Sequence, residues 1–307
     1  MMNELRKPIV VVGSINMDLV ARVPRIPLAG QSLVGTDFAT TPGGKGANQA
    51  VAVAQLGYRV KMVGAVGEDV FGEALVDNLK SSCVDTDAVE RLSGPSGIAS
   101  IFIAERGENC IVVVPGANGK LTRALIDRQA ALIRSAGMVL CQLELPMETL
   151  IHTVAECTAA RVPVMLDPAP AAPLPEAVWD RLEWFTPNET EAEFYLGGVK
   201  KPEAAAHDLL ARGLKGVVLK RGSEGAYVAR AGGEAAWVRP FAVDAVDTVG
   251  AGDCFNGAFA VALLEGRDPW AAARFANAAA AISVTRAGAQ ASMPSRGEVD
   301  AFLAQDR

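Results

Sequence analysis

The chain has 307 residues, half of them apolar but only 6% aromatic, so it can bury a large core of Ala, Val, Ile and Leu, the filling of a parallel sheet between helices. Its formal charge of −6, with no basic run of five or more, argues against a nucleic-acid binder, whose affinity would rest on clustered Lys and Arg. The five cysteines show no CxxC pair and no zinc-ligand spacing, which points to small buried thiols in a reducing cytoplasm.

Residues 1–8 lead directly into an apolar strand pattern at 9–12, too short for a secretory segment or a membrane span. Gly13-Ser14-Ile15-Asn16-Met17-Asp18 follows. Residues 32–41 have strand composition, and Pro42-Gly43-Gly44-Lys45-Gly46-Ala47-Asn48-Gln49-Ala50 then opens a helix running to Leu56 and closed by Gly57. A strand at 60–63 precedes Gly67-Glu68-Asp69. Residues 97–114 read as two strands joined by a hairpin turn at 105–109. Short apolar runs at 138–143, 162–166, 184–186 and 216–219 then alternate with helix-length segments such as 149–160 and 202–212. This is the βαβ pattern of a parallel sheet.

Each run turns polar at its end: Glu144, Asp167-Pro168, Asn188-Glu189-Thr190-Glu191 and Arg221-Gly222-Ser223 join the two earlier segments. In open α/β sheets ligands bind outside the carboxyl ends of the strands. For any one segment a strand or helix cap is an equal reading, but six in succession favour a site. The segments with antiparallel character, approximately 15–42 and 97–115, carry more apolar residues than a lone flap can bury. They predict a small sheet standing off the main layer as a lid, its surface covered by a second subunit. No repeat, low-complexity tract or Pro/Ser linker divides the chain, so residues 1–307 are expected to form one domain.

The strongest local signal is Asp247-Thr248-Val249-Gly250-Ala251-Gly252-Asp253, which opens an apolar helix ending at Gly266. The glycines leave backbone amides uncovered where a helix begins, so N–H groups and the positive end of the helix dipole converge on an anion. A carboxylate at the rim of such a hole suits a base that takes a proton from a hydroxyl attacking a γ-phosphoryl group. The alternative is that Asp253 is an N-cap. The cluster at residues 42–50 is no Walker A loop, and no GxGxxG occurs anywhere; its glycines allow close approach of a polyhydroxy ligand, or simply form a tight turn. Asp18 can accept hydrogen bonds from vicinal hydroxyls, while Asn16 and Asn48 both give and accept. His152 and His207 stand in predicted helices outside any constellation, which disfavours a histidine-based mechanism or metal site.

Taken in order, residues 13–18, Gly43 to Ala50, Asn188-Glu189-Thr190-Glu191-Ala192-Glu193, Asp247 to Asp253, and Thr285-Arg286-Ala287-Gly288-Ala289-Gln290 resemble the ribokinase family of carbohydrate kinases over essentially the whole chain. The resemblance implies a three-layer α/β/α domain with a mostly parallel central sheet and a β lid that serves as a dimer clasp. It further implies that Asn16, Asp18, Gly43, Gly44, Lys45, Asn48 and Glu144 hold a sugar, ribose first among them, and that Asp253 takes its proton. Gly250, Ala251 and Gly252 would form the anion hole. Asn188 and Glu191 match the positions that organise phosphates and Mg²⁺; Lys220, Gly222, Ser223, Gly225, Gly252 and Asn277 fall where ATP binds. A monovalent cation, normally K⁺, is implied at Asp247, Val249, Ser283, Arg286, Gly288 and Ser292. Lys220-Arg221 stands where the family often has an uncharged pair, and Asn277 where a His is common. The competing readings are a kinase for another furanose or a nucleoside, and a sugar-binding protein without catalysis.

Overall fold

The computed structural model describes residues 6–105 and 108–305. Nine strands form the main sheet: β1 (Ile9–Val12), β4 (Val60–Gly67), β5 (Asp85–Leu92), β8 (Met138–Cys141), β9 (Val164–Leu166), β10 (Trp184–Phe185), β11 (Gly216–Lys220), β12 (Ala226–Arg230) and β13 (Ala235–Val238). Their order is β13-β12-β11-β10-β9-β8-β1-β4-β5, parallel except at the β12 and β13 edge. Every residue of β1 is buried, which explains its unbroken apolar run. Ile9 and Val11 face a core with the helices Lys45–Gln55, Val70–Ser81, Ala251–Leu264 and Pro269–Ser283. Val10 and Val12 face the opposite core, with Arg123–Arg128, Met147–Ala160, Glu189–Leu196 and Pro202–Leu210. Alternation along one strand thus separates the two helical layers.

A second sheet, in the order β3-β2-β6-β7, consists of β2 (Asn16–Val23), β3 (Asp37–Gly43), β6 (Gly97–Ala104) and β7 (Asn109–Val114). It corrects the antiparallel expectation in one respect: β2 and β6 pair in parallel. Both leave the carboxyl ends of parallel strands, β2 after β1 and β6 after β5, so they depart in the same direction. Their antiparallel neighbours, β3 and β7, return the chain. Residues 32–36 lie outside any strand, and β3 begins only at Asp37. Likewise β8 ends at Cys141 and β9 starts at Val164, because the flanking predicted residues have no ladder partner. Within the turn at 105–109, Arg106 and Gly107 lie outside the described residues, as does the start of the N-terminal segment, residues 1–5.

No helix among the described residues is long and apolar enough to cross a membrane. Cys141, Cys157 and Cys254 are buried, and burial raises each thiol above its ordinary range, which makes them poor nucleophiles. Cys83 and Cys110 are exposed.

Candidate active site

The polar segments do gather at the carboxyl ends of the strands, but they divide into two kinds. Asp69 is structural: its carboxylate caps the helix Val70–Ser81 by accepting from the Gly72 amide at 2.8 Å, and it accepts from the Ser96 amide and hydroxyl at 2.8 and 2.6 Å. Asn188 and Glu191 form a reciprocal capping box at the start of Glu189–Leu196, yet both also line a cleft of about 320 Å³. Lys45, Asp167, Lys220, Gly222, Gly225, Gly250, Ala251, Gly252, Asp253 and Asn277 line the same cleft. Ser223 sits in the short turn between Gly222 and Gly225, and its side chain is not part of the lining. Asn277 donates to the carbonyls of Val238 at 3.3 Å and Arg239 at 3.0 Å, tying the helix Pro269–Ser283 to the end of β13.

At the floor of the cleft Gly250, with φ of 76°, caps Ala251–Leu264 in a left-handed conformation that favours glycine. Ala251 spends its amide on the Thr248 carbonyl at 3.2 Å. That narrows the expected hole of Gly250, Ala251 and Gly252, because the turn closing residues 248–251 consumes the Ala251 amide. Lys220 reaches over the hole; a Cβ on Gly252 would lie 3.4 Å from its ammonium. The same ammonium donates to Asp167 Oδ1 at 2.9 Å. Arg221 turns the other way, onto Glu189 and Glu224. Of the two cations, only Lys220 therefore lines the cleft.

Asp253 is buried and does not cap its helix. Its Oδ2 accepts from Asn48 Nδ2 at 2.9 Å and its Oδ1 from Gln49 Nε2 at 3.2 Å. Burial pushes the carboxyl up to about 6; Lys45 opposes the shift and Asp167 adds to it. Burial alone would lower the Lys45 ammonium, yet the carboxylates of Asp253, Asp167, Glu144 and Glu191 hold it above its ordinary value. Lys45 stays charged beside Asp253.

The other sequence-predicted residues gather where the second sheet meets the helix Lys45–Gln55. Asn16 opposes Gly43 across the β2–β3 ladder, and a Cβ on Gly43 would fall 2.3 Å from Asp18 Oδ2. Gly44 caps Lys45–Gln55 with φ of 88°. Gly46 meets the Gly13 backbone so closely that a Cβ would come within 2.6 Å. These contacts make the glycine cluster a device for bringing helix, lid and strand β1 together. Glu144 accepts from the Ser14 hydroxyl and, at 3.2 Å, from the Lys45 amide. Burial, then the charges of Glu144 and Asp253, push Asp18 up to about 7. A second cavity of about 380 Å³ adjoins Asn16, Asn118, Leu143, Glu144 and Pro170.

Several participants escaped the sequence reading. Asn118 clamps the start of β2, donating to Asn16 Oδ1 at 2.7 Å and accepting from the Ile15 amide at 2.9 Å. Gln290 donates to Asn48 Oδ1 at 3.1 Å. Gln49, Gln142 and Asp167 form a buried chain behind Asp253. Asp167 and Gln290 stood inside segments already singled out; Asn118 and Gln142 carried no local signal.

The segment expected to hold a monovalent cation folds beside the hole. Asp247 accepts from the amides of Val249 at 3.0 Å and Gly288 at 2.9 Å, joining residues 246–250 to 284–292. Ser292 and Ser283 hydroxyls donate to the carbonyls of Ala289 and Ala280, both at 2.8 Å, and Arg286 points to Glu298 at 2.5 Å. A carboxylate and loop carbonyls are the hard oxygen donors such an ion takes, and the Arg286 charge is directed elsewhere.

Away from these groups, the most voluminous of the cavities described, about 1090 Å³, opens at the opposite ends of the strands around Trp184, Arg230 and Trp270, where Lys215 and Arg230 pair with Glu183. His152 is not isolated, contrary to expectation: it bonds Asp127 at 2.6 Å beside Glu156, but Glu156 is held by Arg134 at 2.7 Å.

Residues 6–296 match the pfkB family of carbohydrate kinases. The chain belongs to that family. It is 45% identical over 296 residues to the ribokinase of Bacillus subtilis, covering 96% of this chain and 99% of the relative. It is 36% identical over 302 residues to the deoxyribokinase of Salmonella typhimurium, covering 96% and 98%. The structure of Arabidopsis thaliana ribokinase complexed with ribose and ATP superposes with a TM-score of 0.92 at 36% identity, covering 97% of this chain and 99% of that one. The fold is thus ribokinase-like, with a large mostly parallel sheet and a small separate one, and the family sets the chemistry as transfer of phosphate to a carbohydrate hydroxyl.

Proposed function

We propose that the whole chain is one ATP-dependent kinase domain that phosphorylates the 5-hydroxyl of D-ribose. The observation that carries this reading is the position of Asp253: a buried carboxylate, raised to about 6, in the first turn of a helix whose N-terminus lines the cleft. The identity to ribokinases over nearly the full length supports ribose as the substrate. In this reading Asn16, Asp18, Gly43, Gly44, Lys45, Asn48 and Glu144 bind the sugar and aim its terminal hydroxyl at Asp253. Asp253 accepts the proton as the oxygen attacks, and the amides at Gly252 and Asp253, with Lys220, bind the charge that gathers on the transferred group. Asn188 and Glu191 would hold Mg²⁺ through water, and Gly222, Gly225 and Asn277 border the nucleotide. Mg²⁺ supplies charge neutralisation to the phosphates when bound.

The Asp247 loop is proposed to take K⁺ through Asp247 and backbone carbonyls, with Val249, Ser283, Arg286, Gly288 and Ser292 shaping it. Initial rates of ADP formation from ribose and Mg-ATP, in K⁺ and in a large inert cation, test both parts. Most of the turnover is expected to vanish without K⁺; equal rates would contradict the cation loop, and no rate in either would contradict the kinase.

The lid is proposed as the contact of a homodimer. Phe38, Ile111, Val112, Val113 and Val114 are exposed there, an apolar set that a monomer leaves wet. Sedimentation should find a dimer that Ile111→Glu dissociates; a monomeric unsubstituted chain would contradict this.

A further inference from the structure

Two carboxylates that line the cleft share one amide. Gln49 Nε2 donates to Asp253 Oδ1 at 3.2 Å and to Asp167 Oδ2 at 3.0 Å, while Gln49 Oε1 accepts from Gln142 Nε2 at 2.8 Å. Both glutamines are 1% exposed. An amide nitrogen has two hydrogens, and here each is spent on a carboxylate. The group cannot turn over, because its oxygen would then face two anions and its nitrogen would face the Gln142 donor. Gln142 sits where it does because Gly13 has no side chain: a Cβ there would lie 2.2 Å from Gln142 Oε1. The remaining carboxylate oxygens are also satisfied, Asp253 Oδ2 by Asn48 at 2.9 Å and Asp167 Oδ1 by Lys220 at 2.9 Å. The donors therefore run in one direction, from Gln142 through Gln49 to the base, and on the far side of Asp167 stands the ammonium that overhangs the anion hole. Gln49 itself does not line the cleft.

We propose that Gln49, oriented by Gln142, is a positioning residue of the phosphoryl-transfer step: it keeps Asp253 ionised and aimed while yoking it to Asp167 and so to Lys220. This rests on the reading of Asp253 as the base. The charged and titratable groups facing Asp253 are Lys45 from the helix Lys45–Gln55, Asp18 from β2, Asp167 after β9, and the Cys254 thiol on its own helix. A hydrogen bond to the charged form of a carboxyl favours that form, and a neighbouring carboxylate disfavours it. Removing the Gln49 amide therefore raises the pH at which Asp253 ionises, whereas neutralising Asp167 lowers it.

The experiment is the pH dependence of kcat/KM for the full chain with ribose and Mg-ATP. Gln49→Leu is expected to move the acid limb upward by about one pH unit, a tenfold loss below the limb that is recovered above it. Gln142→Leu should move it less in the same direction, and Asp167→Asn should move it downward. Should Gln49→Leu fail to fold, the opposite displacements of Gln142→Leu and Asp167→Asn carry the test. A limb that stays in place while rates fall uniformly, or that moves the same way in both, overturns the proposal. A fully active Asp253→Asn would instead overturn the assignment of the base, so the two failures are distinguishable.

Discussion

Asp253→Asn is expected to lower kcat by about 10² to 10⁴, the usual contribution of a general base, with sugar and ATP binding retained. The amide is isosteric with the carboxylate and its oxygen can still accept from Asn48 or Gln49, so one of the two bonds is kept. What is lost is the ability to take a proton at the helix N-terminus over which the Lys220 ammonium reaches. Steady-state rates together with ligand titration separate the two effects. Turnover within a few fold of the unsubstituted chain would remove Asp253 from the chemistry.

The second large effect is expected at Asp18. A carboxylate accepting from two vicinal hydroxyls makes two charge-assisted hydrogen bonds, and loss of even one to two such bonds is worth roughly 3 kcal/mol, about a hundredfold in affinity. Asp18→Ala should therefore raise the sugar KM about a hundredfold with a much smaller change for ATP. An unchanged sugar KM would place the sugar elsewhere. The same residue also has a signature in stability. Folding raises its ionisation from an ordinary 3.8 to about 7, through burial first and then Glu144 and Asp253. The folded state thus binds the proton more tightly than the unfolded chain, and the contribution is fully present below about pH 4 and lost as pH rises through about 7. Asp18→Asn should raise the thermal midpoint of the ligand-free protein at pH 8 and leave it nearly unchanged at pH 4; a rise equal at both would contradict this origin.

Six of the nine strands of the main sheet were legible because they are buried, as the unbroken run of β1 shows, and because polar residues mark where each of them ends; β5 and β13 at the edges carry exposed residues and formed no such run, and β12 beside β13 was missed with them. The same contrast exposed the rim of the site. Asp253 was legible as a rim carboxylate, but whether it capped its helix was decided only by Asn48 and Gln49, which lie 205 and 204 residues away in sequence. Parallel pairing of β2 with β6 was illegible for a similar reason: no turn joins them, and the two strands meet only because each follows a strand of the main sheet. The division of labour between Lys220 and Arg221 could have been read from alternation at the end of β11, where successive side chains point to opposite sides. Gln142 could not, since an uncharged amide at the end of an apolar strand has no distinguishing pattern. Ala251 looked like a third donor to the anion hole until the turn from Thr248 claimed its amide.

The measurement that tests the central claim most directly is coupled ADP release with Mg-ATP in K⁺ against ribose, 2-deoxyribose, fructose, adenosine and uridine, with the phosphorylated carbon identified by NMR. The expected result is a clear preference for ribose and a product carrying phosphate on the 5-oxygen. Turnover confined to a nucleoside or another sugar, or a product phosphorylated on another oxygen, would contradict it.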